Sequence, residues 1–122
     1  MAEPAVLDGA VMATLRQLTT PGEPDVLTEV LQLFLQEVPP RMDRLRIAYA
    51  AGNIEEVYRA AHSLKGSAGN IGAQRFMGVC RQLDEMGRAG DLTDAAPLVA
   101  ALGREYETVA AEIGLIIGTS HL

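Results

Sequence analysis

The chain is poor in cysteine, histidine and aromatic residues, and each shortage excludes a class of protein. Its 122 residues contain one cysteine, two histidines, three tyrosines, two phenylalanines and no tryptophan. The single cysteine, Cys80, cannot form an internal disulfide, which suits a reducing cytoplasm, and its place on an apolar helical face marks it as a core residue. One cysteine and two histidines supply no ligand cluster, so we expect no metal site.

Positive charge and long apolar runs are also scarce. The chain has 10 Lys and Arg against 16 Asp and Glu, a formal net charge of −6, which argues against nucleic acid or an anionic membrane as a partner. The apolar run Ile113 to Ile117 is interrupted by Gly114 and is too short to span a bilayer. The opening M-A-E-P lacks the basic start and apolar run of a signal peptide, so we expect a cytoplasmic location.

Apolar residues recur with helical periodicity along the whole sequence, and no segment alternates as a strand would. A short helix is predicted to begin at Asp8, a good N-cap, and to act as a lid. Its buried residues should be Val11, Leu15 and Leu18. Pro21 and Gly22 then provide turn chemistry.

Four longer helices are predicted after this turn. They should run from about Asp25 to Ala51, from Asn53 to about Asn70, from about Ala73 to Arg88, and from about Asp94 onward. Pro39 and Pro40 predict a kinked continuation of the first. The last carries apolar residues at spacings of three and four, which is the seam of a left-handed bundle.

We therefore predict an all-α fold, an up-down antiparallel four-helix bundle with a short N-terminal lid helix. The length suits a single domain. Residues 1–22 should form the lid helix and loop, 23–118 the bundle, and 119–122 a frayed tail.

His62 lies on the second of these bundle helices and is predicted to face solvent. The helix has an N-terminal signal in Asn53 and Glu56, which resembles a capping box. At 100° per residue, His62 points roughly 130° away from the apolar stripe. Lys65 sits at the border between core and solvent, where its ammonium can reach the imidazole.

Two glycines, Gly66 and Gly69, lie inside the same helical pattern. Each costs about 1 kcal/mol relative to alanine in a helix, so their presence requires a reason. Without side chains they leave backbone-level surface beside His62, on which a partner protein could sit. Close helix packing is the other explanation for such glycines.

The segment from Ala61 to Gly72 reads A-H-S-L-K-G-S-A-G-N-I-G. It fits the pattern A-H-x-[LI]-K-G-x-x-x-x-x-G, and the chain therefore resembles the histidine-containing phosphotransfer (HPt) domains of bacterial phosphorelays. The resemblance extends from about Asp25 through L-F-L-Q-E at 33–37, A-A-G-N at 50–53 and C-R-Q-L-D at 80–84.

The resemblance implies a role for each matching residue. His62 would accept the phosphoryl group on Nε2, and Lys65 would neutralise the phosphoryl oxygens. Asp84 occupies the position of a Glu or Gln that hydrogen-bonds the other imidazole nitrogen, and it is one methylene shorter than Glu. The docking surface for a response-regulator receiver domain would comprise Arg59, Ser63, Gly66, Gly69 and Asn70.

The implied protein is a phosphoryl carrier rather than an enzyme. Its partners would be receiver domains and a hybrid sensor histidine kinase, and Mg²⁺ would come with the receiver. The one-sided apolar stripes suit a monomer. Two alternatives remain open: a non-transferring helical interaction module, and the phosphoacceptor and dimerisation segment of a histidine kinase, which would bury a second apolar seam.

Overall fold

The chain folds into five helices in a computed structural model that describes the backbone of residues 5–120 and the side chains of residues 5–118. The helices are α1 (Gly9–Gln17), α2 (Val26–Ala50), α3 (Ile54–Asn70), α4 (Gln74–Arg88) and α5 (Ala96–Ser120). Helix α3 packs between α2 and α4, and α5 packs against α4 and α2. The described residues contain no strand, and the predicted four-helix bundle with an N-terminal lid helix is confirmed.

Helix α1 is fastened to the junction between α3 and α4. Asp8 is its N-cap and accepts a hydrogen bond from the Ala10 amide. The Asp8 amide donates to the Gly72 carbonyl at 2.9 Å, and Gln74 Nε2 donates to the Asp8 carboxylate at 3.0 Å. These bonds fix the N-terminal end of the lid.

The burial predicted for the lid was wrong at Leu18, which is 60% exposed. Val11 and Leu15, which were also predicted to be buried, are half-buried, and the buried residues are Leu7 and Met12. Leu18 is the C-cap residue of α1, and its side chain extends into solvent where the chain turns through Thr19, which bonds Asp25 and Val26 at the start of α2.

Helix α2 runs through Pro39 and Pro40 without ending, as predicted. One apolar stripe continues on both sides of the prolines, so core contacts hold the two halves in one element. Its buried members are Leu27, Leu31, Phe34, Val38, Met42, Leu45 and Ala48.

The turn from α3 to α4 depends on a glycine with positive φ. Gly72 has φ 67°, and its amide bonds the Gly69 carbonyl while the Ala73 amide bonds the Ala68 carbonyl. This is the Schellman arrangement, with Gly72 at the left-handed position after the cap as predicted. A Cβ at Gly72 would also lie 2.6 Å from Asp8 Cβ, so the turn and the lid both require glycine there.

The bundle core is apolar and contains a small aromatic group. Phe34 and Phe76 meet edge to face at 5.8 Å between ring centroids, and Tyr106 packs on both. Cys80 is fully buried, as predicted, and burial raises its thiol pKa to about 12. Such a thiol stays protonated and acts as a small apolar side chain.

The C-terminal helix is longer than expected. Helix α5 extends to Ser120, two residues beyond the predicted end of the bundle, and residues 121 and 122 of the expected tail lie outside the described residues. Within the part of the chain that the structure describes, no helix is long and apolar enough to cross a membrane.

Candidate functional site

The orientation of His62 follows from how α3 begins and what it buries. Asn53 caps the helix by accepting a hydrogen bond from the Glu56 amide at 3.2 Å. Four side chains of α3 are buried, namely Val57, Ala61, Leu64 and Ala68. With that stripe held in the core, His62 faces outward and its side chain is 60% exposed.

One buried carboxylate, that of Asp84 on α4, lies beside His62. The Asp84 side chain is only 5% exposed. His62 Nδ1 lies 3.5 Å from Asp84 Oδ2, at the long end of hydrogen-bond distances, and Lys65 Nζ lies 3.3 Å from the same oxygen. Although Asp is shorter than Glu, packing of α4 against α3 brings its carboxylate within reach of the imidazole.

The other oxygen of Asp84 has a partner of its own. Arg88 Nε donates to Asp84 Oδ1 at 2.8 Å, four residues along the same helix. Burial raises the pKa of Asp84, but the hydrogen bonds from Arg88, Lys65 and His62 outweigh burial and leave that pKa below its ordinary value. Asp84 is therefore ionised at neutral pH.

The ionised state of Asp84 selects one form of the neutral imidazole. A carboxylate without a proton can only accept hydrogen bonds, so the contact with His62 favours hydrogen on Nδ1. The lone pair then lies on Nε2. With the ring exposed, Nε2 is available as a nucleophile.

Lys65 is engaged rather than free. Its Nζ bonds the same Asp84 oxygen that faces His62, and its side chain is about one-third exposed. The sequence suggested that the ammonium would turn towards the imidazole, and the structure places both groups on one carboxylate.

The five residues expected on the docking surface lie on α3, and all five are exposed. A Cβ at Gly66 would meet nothing within 4 Å, and one at Gly69 would meet only Met77 Sδ, at 3.8 Å. Neither glycine is required by helix packing, so the packing explanation for both loses its basis. Arg59 pairs with Glu55 and Glu56.

The sequence interpretation missed Arg88. Its spacing of four residues from Asp84 on a predicted helix was the available signal, since such pairs are neighbours on a helix surface. Its guanidinium carbon also lies 5.1 Å from the centre of the Tyr58 ring on α3. Arg88 thus contacts both helices of the site.

Close approach of α3 and α4 at Gly87 sets the spacing of the site. A Cβ on Gly87 would lie 2.5 Å from Tyr58 Cβ and 3.3 Å from Tyr58 Cα. We expect Gly87→Ala to lower the free energy of unfolding by about 1–3 kcal/mol, because overpacking outweighs the gain in helix propensity. Urea unfolding measures the effect.

The matched control is Gly78→Ala on the same helix, where a Cβ would meet nothing within 4 Å. This variant should gain up to about 1 kcal/mol. Equal stability of the two variants would show that the helices do not need the glycine contact.

Comparison with known proteins identifies the bundle. The family model described as the Hpt domain matches residues 29–112, well over half of the chain. The chain belongs to the Hpt domain family. As an Hpt domain it is a phosphorelay intermediate that transfers phosphoryl groups through a histidine.

Relatives of this Hpt domain occur as separate proteins and within larger kinases. The signal transduction histidine-protein kinase BarA of Shigella flexneri is 29% identical over 98 residues, 80% of this chain and 11% of the kinase. Histidine-containing phosphotransfer protein 2 of Arabidopsis thaliana is 26% identical, over 78% of this chain and 63% of that protein. The chain thus spans less than two thirds of the length of both relatives.

A solved structure matches the fold over nearly its full length. Histidine-containing phosphotransfer protein B from Pseudomonas aeruginosa PAO1 superposes with a TM-score of 0.84 and 29% identity, covering 93% of this chain and 95% of that one.

Between residues 5 and 118 of the present Hpt domain, no group of three or more His, Cys, Asp or Glu side chains could hold a metal ion.

Proposed function

We propose that this Hpt domain accepts a phosphoryl group on Nε2 of His62 from the aspartate of one receiver domain and delivers it to the aspartate of another. The observation that carries the proposal is the exposed imidazole of His62 beside the buried, ionised carboxylate of Asp84. This pair leaves a lone pair on the solvent-facing nitrogen.

The chemistry is a displacement at phosphorus. The Nε2 lone pair attacks the phosphorus of the receiver's aspartyl phosphate, and a P–N bond forms as the P–O bond to the aspartate breaks. The aspartate leaves with the electron pair of that bond. The imidazole keeps its Nδ1 proton and becomes positively charged, and Asp84 stabilises this charge because it lies 3.5 Å away.

Lys65 neutralises the negative charge of the phosphoryl group, whereas Asp84 stabilises the positive charge of the imidazole. Its ammonium leaves Asp84 and pairs with the phosphoryl oxygens once they reach His62. Phosphoryl transfer depends chiefly on positioning and charge neutralisation, and one lysine supplies part of the second. The receiver brings the remaining catalytic groups and the Mg²⁺ ion that complements the phosphoryl charge, so the Hpt domain acts as a carrier.

The partners follow from the exposed strip around His62. Receivers dock over Arg59, Ser63, Gly66, Gly69 and Asn70, where two glycines leave the α3 backbone accessible. A hybrid sensor histidine kinase supplies the phosphoryl group through its receiver. We place this relay in the cytoplasm, with the domain acting as a monomer.

The proposal is tested by incubating the chain with a phosphorylated receiver. The phosphoryl group should move to the chain and form a phosphate that is labile in acid and stable in base, as phosphohistidine is. A chain that takes no phosphate from any of a panel of receivers or from phosphoramidate would instead be a non-transferring interaction module.

Replacement of Lys65 by alanine should slow transfer and shorten the lifetime of the phosphorylated state. The phosphoryl oxygens lose their nearby cation, which is worth on the order of tenfold in rate. Folding should survive, because the lysine side chain is partly exposed. Single-turnover transfer from a phosphorylated receiver at low ionic strength, where screening is weakest, gives the rate.

Arg104→Gln is a suitable control, since it removes one exposed positive charge from α5, away from α3. This control should transfer at the wild-type rate. Agreement within error between the Lys65→Ala and wild-type rates would remove Lys65 from the mechanism.

A further inference from the structure

The two oxygens of Asp84 have different partners, and the division is unequal. Oδ2 faces both His62 Nδ1 and Lys65 Nζ, at 3.5 Å and 3.3 Å. Oδ1 is bonded by Arg88 Nε at the shorter distance of 2.8 Å. The tightest contact of the carboxylate is therefore with a residue that does not reach the imidazole.

The separate contacts of the two Asp84 oxygens matter because Lys65 pairs with two different groups during transfer. It neutralises Asp84 in the unphosphorylated protein, and in the proposed function it moves to the phosphoryl group. A buried carboxylate that loses its cation is costly, so Lys65 could not leave readily if it were the only positive charge on Asp84. Arg88 supplies a second cation that does not need to move.

Arg88 is itself held in place from two directions. It lies at the end of α4, four residues from Asp84, and its guanidinium carbon lies 5.1 Å from the centre of the Tyr58 ring. Tyr58 is one helical turn before His62 on α3, so Arg88 spans both helices. The nearby contact between Gly87 and Tyr58 keeps that span short.

We propose that Arg88 is a positioning residue for phosphotransfer, which fixes Asp84 towards His62 and frees Lys65 to follow the phosphoryl group. The proposal rests on the proposed function of His62. Arg88 bonds Asp84 rather than the imidazole, so the proposed effect on His62 passes through Asp84.

The first test measures phosphorylation by phosphoramidate, a small donor that needs no docking surface. We expect Arg88→Gln to slow this reaction on the order of tenfold, the loss expected for one charge-assisted hydrogen bond. Arg88→Lys should recover part of the rate, because it restores the charge but not the fixed geometry of the guanidinium. Arg104→Gln, the control on α5, should leave the rate unchanged.

The second test asks whether Lys65 and Arg88 are coupled. Without Arg88, Lys65 remains on Asp84 and contributes less to phosphorylation. The loss of rate from Lys65→Ala should therefore be several-fold smaller in the Arg88→Gln background than in the wild type. If Lys65 and Arg88 acted independently, the double variant would lose rate by the product of the two single-variant losses, and that result would contradict the coupling.

A spectroscopic measurement separates positioning from a general structural effect. In Arg88→Gln the pKa of the Asp84 carboxyl, followed by carbon NMR, should rise because its closest cation is gone. The nitrogen shifts of the His62 ring should show a weaker preference for hydrogen on Nδ1. Urea unfolding checks that Arg88→Gln and Arg88→Lys remain folded.

The results distinguish failure of this inference from failure of the proposed function. If wild-type chain is not phosphorylated on His62, the proposed function fails and this inference fails with it. If the wild type is phosphorylated but Arg88→Gln matches Arg104→Gln in rate, or its Asp84 titrates as in the wild type, Arg88 has no positioning role.

Discussion

His62→Gln is expected to abolish phosphate acceptance and to leave the bundle intact. The glutamine amide nitrogen has no lone pair available for attack on phosphorus, so no P–N bond can form. The side chain at position 62 is 60% exposed, and Asp84 keeps its bonds to Lys65 and Arg88, so the free energy of unfolding should change by less than about 1 kcal/mol. Transfer from a phosphorylated receiver and urea unfolding measure the two effects.

Arg104→Gln provides the control here as well, because Arg104 is exposed on α5 and lies outside the docking surface. It should fold normally and retain phosphate acceptance. Acid-labile phosphate on the His62→Gln chain would show that another residue accepts the phosphoryl group.

Gly66→Gln should separate docking from chemistry. A side chain here points into open space, since a Cβ would meet nothing within 4 Å. Replacing a glycine inside a helix with a better helix former raises the free energy of unfolding by about 0.5–1 kcal/mol. The variant should therefore unfold at a higher urea concentration. It should also take phosphate from a receiver at least about tenfold more slowly, because losing about 1.4 kcal/mol of docking free energy has this effect.

Phosphoramidate provides the comparison that identifies the cause. It needs no docking surface and should phosphorylate Gly66→Gln and wild type at similar rates. Gly114→Gln, at a second open helical glycine on α5, should gain stability and accept phosphate from receivers normally. Uptake from receivers by Gly66→Gln at the wild-type rate would place Gly66 outside the docking surface.

The helices could be predicted from the sequence because their signals are local. Asp8 and Asn53 form the expected caps, and Gly72 ends α3 as its left-handed C′ residue. Each signal involves residues within a few positions of one another. Leu18 was misplaced because its exposure depends on where a nine-residue lid rests on the bundle, which no local pattern records.

In the candidate site too, some features follow from local sequence and others depend on how the helices pack. The outward direction of His62 follows from the periodicity of α3, and the resemblance placed Asp84 on the next helix. The sharing of Asp84 between Lys65 and Arg88 depends on how α3 and α4 are aligned along their contact. The contact of Gly87 with Tyr58 helps to set that alignment, and a single sequence does not reveal which glycine meets which side chain.

The central claim is that His62 carries a phosphoryl group between two receivers, and a quenched time course with both receivers tests it most directly. One receiver begins with labelled phosphate, the second begins without, and the label is mapped at each time. The account predicts that label appears on Nε2 of His62 as it leaves the first receiver and before it arrives on the second. Label that reached the second receiver equally fast with the His62→Gln chain would contradict the account.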